Sequence, residues 1–186
     1  MLGELILYTQ SIVSRSGPLG VFLAALLEEI VFFIPSPVVP MAAGFFLLSP
    51  NIQLTEAVAQ AFLRIALPVA LGLTIGSLLP YCICYFGGRP AIEKWGRLIG
   101  STWENIEKTE QRFIRGHRDE LILLGLRVLP VVPSVAISSF CGFIRYPIYH
   151  FLAVTALGAA IRGFLLGLAG WYAGTAYLKY AYAIAQ

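Results

Sequence analysis

Four charged side chains interrupt stretches of the sequence that are otherwise apolar. Glu28 and Glu29 follow one apolar run, Arg127 follows another, and Arg162 stands alone inside a third. An unpaired charge at the centre of a bilayer costs at least about 2.5–3.5 kcal/mol, so such residues indicate ion pairs or binding sites. A guanidinium group binds phosphate through a bidentate fork. The pattern predicts an anion site around Arg127 and Arg162, with a structural ion pair as the competing interpretation.

The composition places these charges in a membrane protein. Of the 186 residues, 58% are hydrophobic and 12% are charged, and the mean hydropathy is +0.78. Ordinary globular chains contain roughly 45–50% apolar and 25% charged residues, which excludes a soluble domain. The net charge of +3 is too small for a nucleic-acid binder, so no nucleic-acid partner is expected. The three cysteines lie in apolar runs and are interpreted as buried hydrophobic residues.

Proline clusters break two of the apolar stretches, residues 18–48 and 121–144. A proline removes a backbone donor and clashes with the preceding turn. Broken backbone at membrane depth persists only where it is buried in protein or lines a wet cavity. We therefore predict two re-entrant hairpins of half-length helices, with a kinked full span as the alternative. The hairpin tips are expected to meet at Pro35, Pro37, Pro40, Pro130, Pro133 and Ser134.

The chain also aligns with itself. A shift of 98 residues pairs Glu29 with Arg127 and the first proline cluster with the second, and a shift of 87 aligns the glycine-bearing segments that follow. The repeating unit is a broken hairpin followed by a spanning helix, predicted over 62–88 and 147–176. Because one span separates the hairpins, the second enters from the opposite face, as in the inverted repeats of many transporters. Chance matching among apolar residues is the alternative.

The predicted fold class is therefore an all-α integral membrane protein, an inverted repeat of a proline-broken re-entrant hairpin plus a spanning helix. The high density of Lys and Arg in the central loop predicts that this loop is cytoplasmic. Arg145, which precedes Pro147, is interpreted as an anchor at the membrane interface. The single membrane domain, 1–186, divides into an interfacial helix (1–16), a first repeat (18–88), a charged amphipathic segment (89–120), a second repeat (121–176) and a tail (177–186).

Four motifs in order resemble the DedA family within the VTT-domain (SNARE-associated Golgi protein) superfamily. The resemblance covers the chain from about Glu28 to Gly174. The first is an acid before a proline pair, a motif that ends in Pro40-Met41-Ala42-Ala43-Gly44. The other three are Tyr85-Phe86-Gly87-Gly88-Arg89, Arg127-Val128-Leu129-Pro130 with Gly142 downstream, and Phe151 with Gly158 in the last span.

This resemblance implies a re-entrant-hairpin fold and a role in moving lipids across the bilayer. Bacterial members recycle polyprenyl phosphate and are linked to proton-motive-force homeostasis, whereas eukaryotic members scramble phospholipids. It also implies a multi-pass protein of the prokaryotic inner membrane. The chain lacks the second acid that many bacterial members carry after the proline pair, and it has Pro133 where many have a second arginine. The broader expectation is therefore lipid translocation.

The sequence thus predicts a transporter, scramblase or flippase for phosphate-bearing lipids, with membrane lipids as its partners. One alternative is a proton-coupled transporter of a small solute or ion, and a second is a structural assembly factor. Motifs such as HExxH, GxSxG and Walker A do not occur, and no catalysis, cofactor or metal is expected. Proton coupling and homo-oligomer formation are left open. The expected substrate-binding residues are Glu28, Glu29, Pro35, Pro37, Arg127, Pro130, Pro133, Ser134 and Arg162.

Overall fold

A computed structural model describes residues 17–30, 37–99, 117–129 and 133–184, and in these ranges the chain is helical without a strand. The expected interfacial helix (1–16), Pro35, Pro130 and most of the charged segment lie outside the described residues. The helices are α1 (17–30), α2 (Val38–Leu47), α3 (Leu54–Ala61), α4 (Leu67–Ile99), α5 (His117–Val128), α6 (Ser134–Phe143) and α7 (Ile148–Ile184). A π-helical turn, Phe62–Ala66, joins α3 to α4.

Two of the helical stretches are long and apolar enough to cross a membrane. They are Leu54–Gly88, with 35 residues, and Ile148–Tyr177, with 30 residues. At about 1.5 Å per residue, each exceeds the roughly 30 Å of a hydrocarbon core. The prediction of an all-α chain with two long spans is confirmed for the described residues.

The helices α2 and α6 begin directly after prolines. Pro37 and Pro133 occupy the N-cap positions, so the missing N–H of each falls where a helix has no internal partner for it. Pro40, the last proline of the first cluster, lies buried inside α2. Pro40 is the third residue of that helix, and the first turn tolerates a missing donor.

Helices α1, α2, α5 and α6 pack on the two long helices, α4 and α7, in a crossed pattern. Glycines on α4 contact α1, and Gly158 of α7 contacts Arg127 of α5. By contrast, α2 packs on α7 and α6 packs on α4. A Cβ at Gly44 would collide with the backbone of Gly167, and one at Gly142 with the backbone of Tyr81. The absent side chains therefore allow each short helix to approach the long helix of the other half.

The contacts also give the helix directions. Gly163 lies against Val69 and Gly167 against Ile65, so α7 runs antiparallel to α4. Residues 22 and 29 of α1 meet residues 72 and 76 of α4, so these two helices run in parallel. The pairs 120 with 150 and 127 with 158 make α5 parallel to α7. It follows that α1 and α5 point in opposite directions.

Within the ranges that the structure describes, the core consists of two apolar clusters. Val21, Val39, Ile65 and Leu73 are among the members of the first, and Tyr81 belongs to the second, between α4, α5, α6 and α7. Large apolar side chains are also exposed along the outer faces of both long helices. Such continuous exposed apolar surface fits lipid rather than water as the surrounding solvent.

Candidate functional site

Acidic and basic residues meet where α1 and α5 end. Glu28 and Glu29 lie in the last turn of the described part of α1, and Arg127 lies in the last turn of α5. Glu29 and Arg127 each face a glycine of a long helix. A Cβ at Gly76 would lie 2.8 Å from the Cβ of Glu29, and one at Gly158 would lie 2.5 Å from that of Arg127. The glycines therefore create the space in which charged side chains reach the interior.

The guanidinium of Arg127 is held on three sides. Its Nη1 donates to Oε1 of Glu29 at 3.2 Å, and its Nη2 donates to the Ser138 hydroxyl at 2.8 Å. Its Cζ lies 5.4 Å from the centroid of the Phe151 ring, which provides a cation–π contact. The planar fork of this arginine thus has a fixed orientation.

Arg162 makes a second, similar arrangement. Its Nη2 donates to Oε1 of Glu28 at 2.9 Å, and its Nη1 donates to the Ser134 hydroxyl at 3.2 Å. Ser138 donates to the backbone carbonyl of Ser134 at 3.0 Å and so joins the two arrangements. We call Glu28, Glu29, Arg127, Ser134, Ser138 and Arg162 the charge network.

The charge network is buried and formally neutral. Glu28, Glu29, Arg127 and Arg162 are each at most 3% exposed. Arg162 lies fourteen residues after Ile148 and fifteen before Tyr177, at the middle of its apolar span. Desolvation of four charges costs several kcal/mol per ion, and good geometry with further hydrogen bonds is needed to offset it. Oε2 of Glu29 nevertheless has no hydrogen-bond partner among the residues that the structure describes.

The structure brings together most of the residues that the sequence singled out. Glu28, Glu29, Arg127, Ser134 and Arg162 belong to one network. Pro37 and Pro133 cap the adjoining helices and make no polar contribution of their own to it. Pro35 and Pro130 lie outside the described residues.

Sequence reasoning missed the pairing of Arg162 with Glu28 and the part played by Ser138. A signal for the pairing was available in the balance of two buried acids against two buried arginines. Ser138 lies one helical turn after Ser134, so the two hydroxyls share a face of α6.

The donors of the network suit an anion. Within the described ranges, no group of three His, Cys, Asp or Glu residues could hold a metal ion. Each arginine presents a fork of N–H groups, and each fork is occupied by one carboxylate and one serine hydroxyl. A phosphate offers several acceptor oxygens and could replace these partners.

The comparisons with known proteins agree on one kind of relative. A family model described as the VTT domain matches residues 34–172. The uncharacterized membrane protein YkoX of Bacillus subtilis (strain 168) is 30% identical over 136 residues, which cover 73% of this chain and 55% of YkoX. The chain therefore spans only about half the length of that relative.

Two further relatives come from the same organism. Undecaprenyl phosphate transporter A is 26% identical over 156 residues, covering 84% of this chain and 71% of the transporter. The uncharacterized membrane protein YbfM is 24% identical over 156 residues, covering 84% of this chain and 90% of YbfM. No solved structure matches the chain significantly.

Proposed function

Because the chain belongs to the DedA family of VTT-domain membrane proteins, as its motifs predict, we propose that it moves phosphate-bearing lipids across the bilayer. The substrate class is a polyprenyl phosphate or a phospholipid, and the charge network is its binding site. Family membership and the two long apolar helices make it a membrane protein. The relative named undecaprenyl phosphate transporter A supports transport as its activity and phosphate-bearing lipid as its substrate class.

The observation that carries the proposal is the buried fork of Arg127 between Glu29 and Ser138. A structural ion pair needs one acid and one base, whereas here two such pairs and two hydroxyls converge at the middle of a span. Arg127 and Arg162 together carry two positive charges, and a phosphate monoester carries about −1.5 to −2 at neutral pH. A polyprenyl phosphate that displaced both carboxylates would therefore be close to electrically balanced, whereas the phosphodiester of a phospholipid, with one negative charge, would balance the arginines if one carboxylate remained.

The helix arrangement supports a transport pathway through this point. At about 1.5 Å per residue, the ten residues of α2 and of α6 extend only about 15 Å, half of a hydrocarbon core. We infer that α1 with α2, and α5 with α6, are re-entrant hairpins that enter from opposite faces. Their opposed directions and the crossed packing on α4 and α7 support an inverted repeat. In many transporters the substrate site lies between such repeats at the midplane.

The proposed mechanism exchanges partners on the arginines. In the closed state Glu29 holds Arg127 and Glu28 holds Arg162. A headgroup that arrives from one leaflet binds to the guanidinium groups of both arginines and displaces the two carboxylates. The lipid tails stay in the bilayer. Protonation of Glu29 releases Arg127 and so favours headgroup binding. Opening of the other hairpin then releases the headgroup to the opposite leaflet.

Transport by purified variants in vesicles tests the proposal. Fluorescent phospholipid and a polyprenyl phosphate are the substrates. Arg127→Lys keeps the positive charge but loses the planar fork, so we expect it to impair transport nearly as much as Arg127→Ala. Arg64→Ala removes an exposed arginine of the π-helical turn and is the control, with unchanged transport expected.

Three results would contradict the proposal in different ways. Full transport by folded Arg127→Ala would reduce the network to a structural element. Full transport by Arg127→Lys alongside an inactive alanine variant would show that charge suffices and that no fork is needed. Transport of small solutes but of neither lipid would favour the proton-coupled solute transporter instead.

A further inference from the structure

A cavity separate from the charge network lies where one apolar span ends and the other begins. It has a volume of about 260 Å³. The first span ends at Gly88 and the second begins at Ile148, so the cavity is at the level of a membrane interface. We call it the Arg145 pocket. Its lining includes Tyr81, Tyr85, Phe86, Arg145, Tyr146 and Ile148.

The backbone at Arg145 is unusual. Its φ is +52°, and it is the one residue other than glycine with a positive φ in the described part of the chain. Its N–H donates to the carbonyl of Gly142 at 3.1 Å, and the N–H of Tyr146 donates to that of Cys141 at 2.9 Å. These two bonds form a Schellman motif at the end of α6, and the position that Arg145 occupies usually holds glycine. Strain of this kind is concentrated at functional sites.

The aromatic wall of the pocket orients the arginine. The Cζ of Arg145 lies 5.2 Å from the centroid of the Tyr85 ring. A guanidinium that stacks on a ring keeps its N–H donors at the edge of its plane, in a geometry that matches a phosphate. Tyr81 donates to the carbonyl of Tyr146 at 2.6 Å and ties the turn to α4. Arg145 is therefore held in the pocket by its surroundings and is not a flexible side chain at the surface.

The surroundings of the pocket face lipid. Phe86 is 74% exposed, and Ile83 on the same helix is 62% exposed. Drug-sized ligands occupy pockets of roughly 300 Å³ or more, so 260 Å³ suits a headgroup and not a whole lipid. Acyl chains would lie along the exposed apolar side chains.

The two ends of the molecule differ at this position. The shift of 98 residues that aligns the halves places Leu47 where the second half has Arg145. A smaller cavity of about 140 Å³, lined by Phe45, Leu48 and Trp171 among others, lies beside that equivalent turn. No cation is among the described residues that line it, whereas Arg145 lines the larger pocket at the other end.

From these observations we propose that the Arg145 pocket binds the phosphate of an anionic phospholipid in the leaflet next to the charged segment, residues 89–120. The site is independent of transport through the charge network. It holds a resident lipid at the interface, with the guanidinium on the headgroup phosphate and the tails along α4.

Photo-crosslinking locates this lipid directly. The purified full chain is reconstituted in phosphatidylcholine vesicles that contain phosphatidylglycerol with a photoreactive headgroup, and crosslinked peptides are mapped by mass spectrometry. We expect labelling of peptides around Tyr85 and Tyr146. Arg145→Gly should reduce it about tenfold, since charge-assisted hydrogen bonds are lost. Arg145→Lys should retain part of the labelling, and Arg64→Gln, which removes an exposed arginine elsewhere, should retain all of it.

The glycine variant keeps the experiment interpretable because glycine prefers the conformation that Arg145 adopts. Its midpoint of thermal unfolding is expected to equal or exceed that of the wild type. Unchanged labelling in Arg145→Gly would overturn the proposal, as would equal labelling by a phosphatidylcholine probe. Competition by unlabelled phosphatidylglycerol but not by inorganic phosphate is the expected result. Equal competition by inorganic phosphate would identify a free-anion site and overturn the lipid assignment.

Discussion

Removal of Arg127 and Glu29, singly and together, separates their contribution to stability from their contribution to transport. The two side chains are 3% and 0% exposed, and their charged atoms are 3.2 Å apart. With an effective dielectric constant of about 20, the Coulomb attraction at this distance is about 5 kcal/mol. Loss of one partner from a buried pair leaves the other charge uncompensated, which costs about 3–5 kcal/mol. Replacement of both partners by apolar residues is often close to neutral.

We therefore expect Arg127→Met and Glu29→Leu each to lower the midpoint of thermal unfolding by about 6–20 °C. The double variant should recover most of that loss. Transport of the fluorescent lipid should be absent in the double variant despite its recovered stability, because Arg127 provides one of the two forks of the proposed phosphate site. Glu56→Gln, at an exposed acid that accepts a hydrogen bond from Gln60, is the control and should change neither quantity.

Two outcomes would refute this reasoning. A double variant as unstable as the single ones would mean that the two charges do not compensate each other. A stable double variant with wild-type transport would mean that the pair is a structural element and that headgroups pass elsewhere. Thermal unfolding in detergent and transport in vesicles are measured on the same preparations, so a folding defect is recognised as such.

Further substitutions test the packing and the proposed mechanism. Gly142→Ala should lower the unfolding midpoint because its Cβ would meet the backbone of Tyr81, whereas Gly125→Ala, with open space around it, should raise stability by about 0.5–1 kcal/mol. Tyr81→Phe should cost about 1 kcal/mol through the lost bond to the carbonyl of Tyr146, without loss of the ring packing. Glu29→Gln should keep lipid binding but remove the pH dependence of transport, and a pH profile that matches the wild type would place the titrating group elsewhere.

The sequence predicts the parts of the site that depend on position along the chain. Charge inside apolar runs identifies Glu29 and Arg127, and the shift of 98 residues pairs them before any geometry is known. Pro37 and Pro133 mark helix starts because a proline at an N-cap costs no internal hydrogen bond. Pro40 shows the limit of this rule, since a first-turn proline stays within its helix.

Other features depend on how helices face one another, and no pattern along the chain encodes that. Arg162 pairs with Glu28 across 134 residues, and the repeat alignment offers no equivalent acid for it. The pair forms because α1 and α7 bring Glu28 and Arg162 within 2.9 Å of each other, where Arg162 also donates to Ser134 of α6. The backbone conformation of Arg145 cannot be predicted from the sequence for a different reason. The turn position that it occupies normally carries glycine, so an arginine gives no signal of a positive φ.

Neutrality of the charge network connects its burial with its proposed function. Two acids and two arginines at the middle of a span are tolerated because each charge has a partner within 3.2 Å. A phosphate that binds the arginines without displacement or protonation of Glu28 and Glu29 would leave excess negative charge in the membrane interior, about one charge for a phosphodiester and about two for a phosphate monoester. The cost of burying even one uncompensated charge is several kcal/mol. Headgroup entry must therefore be coupled to movement or protonation of the carboxylates, and this requirement is what would link lipid transport to pH.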